Sequence, residues 1–567
     1  MPKLEVNLDN LLSLIPQIKT VEELEELLPI AKAEFDGLDE EKGVINVELN
    51  DTNRPDLWSA AGLARLLRGY LTGKYRDYDK EWSQLVNEKD ENKYIITKKD
   101  TKQYRPFVAA FLADFEIKNE DLLVELIQTQ EKIASVFGKK RERISMGLYN
   151  AELIEFPITY GMYNPEEIKF APLQFEEELS LKEILEKHPT GVEYAHIINK
   201  WPKYPVLMDA KQRPLSLVPI INSNDLGRID IGSKYLLIEA TGTSFEHTNL
   251  AVNVFAADIE DMGGKIYPVT IRYEHDASPE NEVVLPYSFN YVHKASKNEL
   301  VKLLGIELNN TQIKELLTKM GYFVSSRGEK FTVRVPSYRR DIMHTVDLVE
   351  DIAIAYGYDN FKEVPLESYT IGQAKPIQAA IDAIRDLMIG LGYMEVFTYV
   401  LSNEDDCKTK MRSEEPIVKI KNVMSQSFSV LRNSMLPVLF KIESENTGTK
   451  YPHRIFEVGE IVKLRENKPV TIVSLGIINI GQSVNLSNTM SDIWALLSTT
   501  GVEYELKETN DSRFMEGRCA NVVVNGKIVG TVGEFHPEVL SNWGLGLPAA
   551  GGEIFITDLV EAAKQLS

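Results

Sequence analysis

No single hydrophobic core can serve a chain of 567 residues. Cores stop growing at roughly 250–300 residues, so about three to five domains are expected. With 43% hydrophobic and 26% charged residues, the composition is that of a globular protein in water. No stretch is apolar for long enough to cross a bilayer. The start, "MPKLEVNLDNLL", carries acids where a signal peptide would carry a basic head and an apolar run, which argues for a cytoplasmic location. Only two cysteines occur, Cys407 and Cys519, far apart and outside any Cys-x-x-Cys spacing, so neither a disulfide framework nor a structural zinc site is expected. A formal net charge of -22 repels nucleic acid over the surface at large. RNA contact must then come from local patches, of which "GKKRER", Gly138 to Arg143, is the most basic, or from a partner chain; the same patch also reads as a solvated helix end.

Periodicity divides the chain further. "VEELEELLPIAKA" has helical spacing and "GVINVEL" alternates as a strand. The latter runs into "NDTNRPDLWSAAGLARLLRGYL", where Pro55 stops the strand and Ser59 is placed to cap a helix from about Ala60 to Leu71. Residues 74–104 are charged and poor in apolar side chains, which predicts a surface connection between modules. Later, "SKYLLIEATGTSFEHTNLAVNVFAADIEDMGGKIYPVTI" reads as a βαβ-like unit with Thr248 as the helix cap and Gly263 and Gly264 as its stop. A short helix from Thr311 to Met320 and a strand from Phe331 to Val335 follow. Beyond a long helix near Ile377 to Leu391, strand patterns dominate, with an Asn-Gly hairpin signal at Asn525 and Gly526. The fold class expected is a multidomain α+β protein whose last third is an antiparallel sheet flanked by helices.

The common chemical motifs are absent. There is no phosphate-cradling Gly-x-x-x-x-Gly-Lys-Ser/Thr loop, no Gly-x-Ser-x-Gly elbow and no His-Glu-x-x-His, and the 8 histidines are scattered. Hydroxyls and carboxylates must supply any chemistry. One stretch concentrates them: in "RRDIMHTVDLVEDIAIAYGYDN", Asp341, Asp347, Glu350 and Asp351 lie within eleven positions, three of them on one helical arc of roughly 100°. Like charges so placed repel, so solvent, a hard cation such as magnesium, or basic groups from a neighbour must offset them. Apolar residues nearly encircle the same helix, which predicts cover on both sides.

"VPSYRRDIMHTVDLVEDIAIAYGYDN" resembles a segment of the phenylalanine–tRNA ligase beta-subunit family, with the pattern Val-Pro-Ser-x-Arg-x-Asp-Ile, then Asp-Leu-Val-Glu-Asp/Glu, then Tyr-Gly-Tyr. "NDTNRPDLWSAAGLARLLRGYL", "PIINSNDLGRIDI", "IEATGTS", "RIFEVGEIV" and "GEFHPEVL" resemble further elements, so the likeness covers essentially the whole chain. Length and the direct start look like the archaeal and eukaryotic cytosolic type. The resemblance implies an N-terminal α/β module over 1–95, an editing module over 96–275, a winged-helix-like magnesium-bearing module over 276–362, and a non-catalytic class II synthetase-like core over 363–567. It implies Mg2+ held by Asp341, Asp347, Glu350 and Asp351, an alpha-subunit partner in an α2β2 heterotetramer, and tRNA(Phe); no membrane and no DNA are expected.

It also implies two activities. With the alpha subunit the chain would support ATP-dependent attachment of phenylalanine to tRNA(Phe). Class II ligases clamp ATP with an arginine in a Gly-x-Gly-x-x-x-Arg motif, but "GLGLPAA" has Ala550 at that spacing and no arginine follows Arg518. The adenylating site is therefore expected on the partner. Alone, the chain would hydrolyse mischarged Tyr-tRNA(Phe), because an apolar pocket rejects an added hydroxyl by only about a hundredfold and a second sieve is useful. By resemblance Ser216, Asn222, Glu239 and Thr241 line the editing pocket with Leu207 against the aromatic ring, and Glu239 stands where relatives often have aspartate. A positioned water would do the hydrolysis, since no cysteine–histidine pair is available. A scaffold paralogue without editing is the alternative, and a solitary adenylating ligase the third reading.

Overall fold

The computed structural model describes residues 3–366, 368–499 and 501–564. They form two compact units, Met1–Val364 and Pro365–Ser567.

The first unit opens with a three-stranded antiparallel sheet in which Val44–Leu49 pairs with both Lys3–Asn7 and Ala33–Asp39. Helix Ala60–Thr72 follows as its sequence requires: Ser59, in extended conformation, accepts from the Gly62 amide, and Gly73 ends the helix at φ 66. Residues 74–104 do not form the surface connection expected of them. They contain helix Tyr78–Leu85, whose Tyr78 and Trp82 are buried, and strand Tyr94–Thr97, which lies parallel between Lys265–Tyr273 and Ile158–Tyr163. The polar side chains misled because they are internally paired. Asp79 accepts from Ser337, Ser288 and Arg334, Arg76 pairs with Glu260, and Trp82 Nε1 donates to Glu260 Oε2 at 3.0 Å.

That strand belongs to a ten-stranded sheet that dominates the unit. From one end the order is Ile221–Asn222, Pro214–Leu217, Tyr204–Met208, Ile158–Tyr163, Tyr94–Thr97, Lys265–Tyr273, Phe107–Asp114, Tyr235–Gly242 and Ile144–Asn150, with Glu282–Leu285 also paired to Lys265–Tyr273. The strand-helix-strand expectation holds: Tyr235–Gly242 and Lys265–Tyr273 flank Phe107–Asp114, both antiparallel to it, joined by helix Phe245–Asp261. Its cap is Ser244 rather than Thr248. Ser244 is extended and accepts from His247 N, whereas Thr248 is already helical and donates back to Ser244 O at 2.7 Å. Gly263, at φ 88, and Gly264 terminate the helix. Arg65 joins this helix to Ala60–Thr72 through Asp258 and Asp261.

The sheet is not flat. Asn222 Nδ2, on its first strand, donates to Leu148 O, on its last, at 3.3 Å. The two ends therefore curl together and meet along a seam.

A second three-stranded antiparallel sheet, Val292–Ser296, Lys330–Arg334 and Phe323–Arg327, carries helices Lys297–Val301, Asn310–Lys319 and Thr345–Tyr356. The last of these is covered as its pattern requires, with Leu348, Val349, Ile352 and Ile354 buried.

In the second unit a seven-stranded sheet runs in the order Met394–Glu395, His453–Arg465, Lys468–Ile480, Ala549–Phe555, Lys527–Phe535, Phe514–Val524 and Glu505–Glu508. Every pairing is antiparallel except the first. Helices Pro376–Gly390, Leu486–Thr499 and Ile556–Lys564 share one apolar cluster with it, and Leu436–Glu445 another. The hairpin turns at Asn525 and Gly526, at φ 48 and 76, as the Asn-Gly pair requires. Trp82→Ala should lower the unfolding free energy by about 3–5 kcal/mol. Denaturant unfolding followed by circular dichroism measures it, and an unchanged midpoint would return this stretch to the surface.

Candidate functional site

The seam encloses a cavity of about 350 Å3 lined from both ends of the sheet. On one side Leu207 pairs directly with Ser216 and Ser216 with Asn222, a row across three strands in which all three side chains share a face. On the other, Glu239 pairs with Gly147 and Thr241 with Ser145, again on a common face because strand side chains alternate. Ser216, Asn222, Glu239 and Ser145 line the cavity. Thr241 and Leu207 do not. Leu207 is buried beside Ser216, and the Thr241 hydroxyl lies 2.9 Å from Ser145 Oγ, so it acts on the cavity wall rather than from it.

Glu239 is the buried carboxyl of the site, which Glu131 and His188 also line. Burial pushes its carboxyl up to about 8, only partly opposed by the Arg105 charge and the Tyr149 hydroxyl. At neutral pH it is thus mostly a neutral acid, able to donate as well as accept. Its Oε1 is 3.4 Å from the Tyr149 hydroxyl, which donates to Ser216 Oγ at 2.9 Å, while its buried Oε2 has no hydrogen-bond partner among the described residues. A phenol has one proton to give. That proton is shared between Ser216 Oγ and Glu239 Oε1, and Glu239 Oε2 is left for a ligand.

Sequence reading missed Tyr149, Ser145, Gly147 and Arg105. "ISMGLYN" alternates, so Ser145, Gly147 and Tyr149 share a face, but nothing in it reveals the strand it faces. Gly147 is needed for close approach: a Cβ there would fall 2.5 Å from the Tyr149 hydroxyl oxygen. Arg105 is buried with no carboxylate in ion-pair distance among the described residues. Its Nε donates to Thr241 Oγ1 at 3.0 Å, its Nη2 to Thr241 O at 2.7 Å and Ser145 Oγ at 3.2 Å, and its Nη1 to Arg141 O and Glu142 O. Burial lowers its pKa to about 10, which still leaves it charged at neutral pH.

The four acids of the conspicuous stretch do not converge. Asp341 accepts from Arg339 Nε at 3.0 Å and Nη2 at 2.7 Å. Although burial works the other way, Arg339 and Arg54 hold its carboxyl well below the usual range. Asp351 pairs with Arg339 at 3.0 Å and accepts from the Tyr322 hydroxyl. Glu350 meets Lys32 at 3.0 Å. Asp347 turns back to accept from the Met343 and His344 amides at 2.7 Å each, closing a capping box. Among the described residues no group of three or more histidine, cysteine or acidic side chains is placed to hold a metal ion. As arranged, these residues do not fit Mg2+; arginine, lysine and the helix end offset their charge instead.

Two family models match the chain: the phenylalanyl tRNA synthetase beta chain CLM domain over residues 362–556 and the tRNA synthetase B5 domain over 293–358. A phenylalanine–tRNA ligase beta subunit from Pyrococcus abyssi is 39% identical, covering 99% of this chain and 100% of the relative. One from Borreliella afzelii is 37% identical over 99% and 100%. A crystal structure of an N-terminal fragment of the Pyrococcus horikoshii phenylalanyl-tRNA synthetase beta subunit, 37% identical, matches with a TM-score of 0.58 over 63% of this chain and 100% of the fragment. With that identity along nearly its entire length, this chain belongs to the phenylalanine–tRNA ligase beta-subunit family.

Proposed function

We propose that the chain works with an alpha subunit, in an α2β2 assembly in the cytoplasm, to charge tRNA(Phe) with phenylalanine, and that its own seam cavity hydrolyses Tyr-tRNA(Phe). The observation that carries the second half is the buried Glu239 carboxyl with its unpartnered oxygen beside Ser216 and Asn222. A tyrosine phenol entering the cavity finds polar groups whose desolvation is already in place. Phenylalanine leaves them unsatisfied, which is how a site discriminates by far more than an apolar pocket does. Hydrolysis adds water across the ester, releasing tyrosine and the free 3′ hydroxyl. Thr241 and Arg105 set the wall that holds Ser145, so they are positioning residues.

The first half draws on the second unit. Its polar cavity contains Lys463, Arg465 and Arg513, and each is neutralised, by Glu415 at 2.5 Å, Asp558 at 2.7 Å and Asp511 at 2.6 Å. No free cation is left there among the described residues to meet a triphosphate, and Ala550 is buried within its strand. The large apolar side chains Phe397 and Tyr399, 88% and 71% exposed, offer the alpha subunit a surface to cover.

In the complex with its alpha chain, Glu239→Ala and Thr241→Ala should each slow Tyr-tRNA(Phe) deacylation by about tenfold or more, as the loss of one good hydrogen bond implies. Phenylalanine charging should hardly change; unaltered deacylation in both variants would remove these residues from the reaction. The carboxyl also predicts a pH dependence. Its folded value of about 8 exceeds the unfolded 4.5, so the folded state keeps a proton that the unfolded state releases, and stability falls as pH rises between these values. Glu239→Gln has no proton to release and should lose less stability than the parent between about pH 5 and pH 9, read as thermal midpoints. Parallel curves would show that Glu239 ionises freely.

A further inference from the structure

We propose that the loop Lys139–Arg143 is a phosphate-binding lip of the seam cavity, which grips the single-stranded 3′ end of the RNA whose acyl group enters it. The nature of that acyl group rests on the editing reading above.

Three observations place the loop in this role. First, the chain carries a formal charge of -22, and most of its cations are paired. Yet Lys139, Lys140 and Arg143 have no carboxylate within ion-pair distance among the described residues, and all three are exposed. In so acidic a protein, three unpaired cations within five positions make a local attraction for a polyanion that the remaining surface repels.

Second, the loop is physically part of the cavity. Arg141 lines it, with Nη1 donating to Ile220 O at 2.8 Å, Nη2 paired to Glu131 at 2.7 Å and the guanidinium 4.5 Å from the Tyr194 ring centroid. Lys139 and Lys140 directly precede it in the chain and are exposed. Arg105 ties the two together from inside, donating to the Arg141 and Glu142 carbonyls with one nitrogen and to Thr241 with the others.

Third, the backbone is strained and held. Lys139, Lys140 and Arg141 lie in succession at φ 50, 50 and 67, a left-handed run that L-residues avoid. Bonds from Lys140 N to Ser135 O at 2.8 Å, Arg141 N to Ala134 O at 2.9 Å and Arg143 N to Gly138 O at 2.8 Å fix it. Glycine or asparagine would relieve such a turn. Strained residues held in place by the surrounding structure cluster at ligand clamps. An ester at the 3′ end of RNA, once in the cavity, leaves the preceding phosphates outside it, within reach of a loop whose Arg141 lines the cavity.

The test uses the full chain and an acceptor-stem RNA with a single-stranded 3′ end, uncharged and tyrosylated. Replacing Lys139, Lys140 and Arg143 together by glutamine should weaken binding of the uncharged RNA by about tenfold or more at low salt. It should also reduce the salt dependence, as the slope of log affinity against log salt, by about 2. Lys139→Arg with Lys140→Arg should retain both. On tyrosylated RNA the glutamine variant should raise KM while leaving kcat near that of the parent. Equal affinity and equal slope in parent and glutamine variant would overturn the lip. If the parent binds RNA through the loop but leaves tyrosylated RNA intact, the editing reading fails and the lip stands.

Discussion

The meeting of the first and last strands of the ten-stranded sheet governs the rest of the first unit. One side-chain amide, Asn222 to the Leu148 carbonyl, marks where the sheet closes on itself. The approach brings together residues separated by most of the sheet's width. It buries Glu239, which raises its pKa, and seats the Tyr149 phenol between Glu239 and Ser216. A flat sheet of the same strands would leave Ser216 and Glu239 at opposite ends, with no cavity and an ordinary carboxylate.

Around the seam, arginine is the main device for joining separated parts of this acidic chain. Arg65 holds Asp258 and Asp261, Arg54 and Arg339 hold Asp341, and Arg339 also holds Asp351. These pairs are buried, so each partner depends on the other: removing one would leave an uncompensated charge. The acid stretch thereby gains neighbours that a metal would otherwise have to replace. Arg105 is the exception, a buried guanidinium satisfied by carbonyl and hydroxyl oxygens, and with Arg141 it couples the cavity wall to the loop Lys139–Arg143.

Local chemistry was legible in the sequence wherever it acts locally. Ser59, the Gly263–Gly264 stop and the Asn525–Gly526 turn each act within a few residues and appear where the pattern places them, whereas the strand expected to stop at Pro55 already ends at Leu49 and Pro55 opens a short 3-10 helix. Ser216, Asn222 and Glu239 were named through family resemblance, and they do share one cavity. What could not be read is whatever depends on closure. Ser145 and Tyr149 acquire meaning only from strands about 70 to 95 residues away, and Trp82 sits in a charged stretch whose partners lie near Glu260 and Ser337. The acids from Asp341 to Asp351 look alike in one dimension; in three, Asp341 and Asp351 share Arg339, Glu350 meets Lys32 and Asp347 caps its own helix.

The most direct measurement of the central claim, that the curled sheet buries a carboxyl able to read a phenol, is calorimetric binding of two non-hydrolysable ligands to the full chain: adenosine carrying tyrosine, or phenylalanine, through a 3′ amide. The tyrosyl compound should bind about ten-thousandfold more tightly, as a site built to bond a hydroxyl requires. Equal affinities would mean that the seam cavity does not recognise the hydroxyl, and the account would be wrong at its centre.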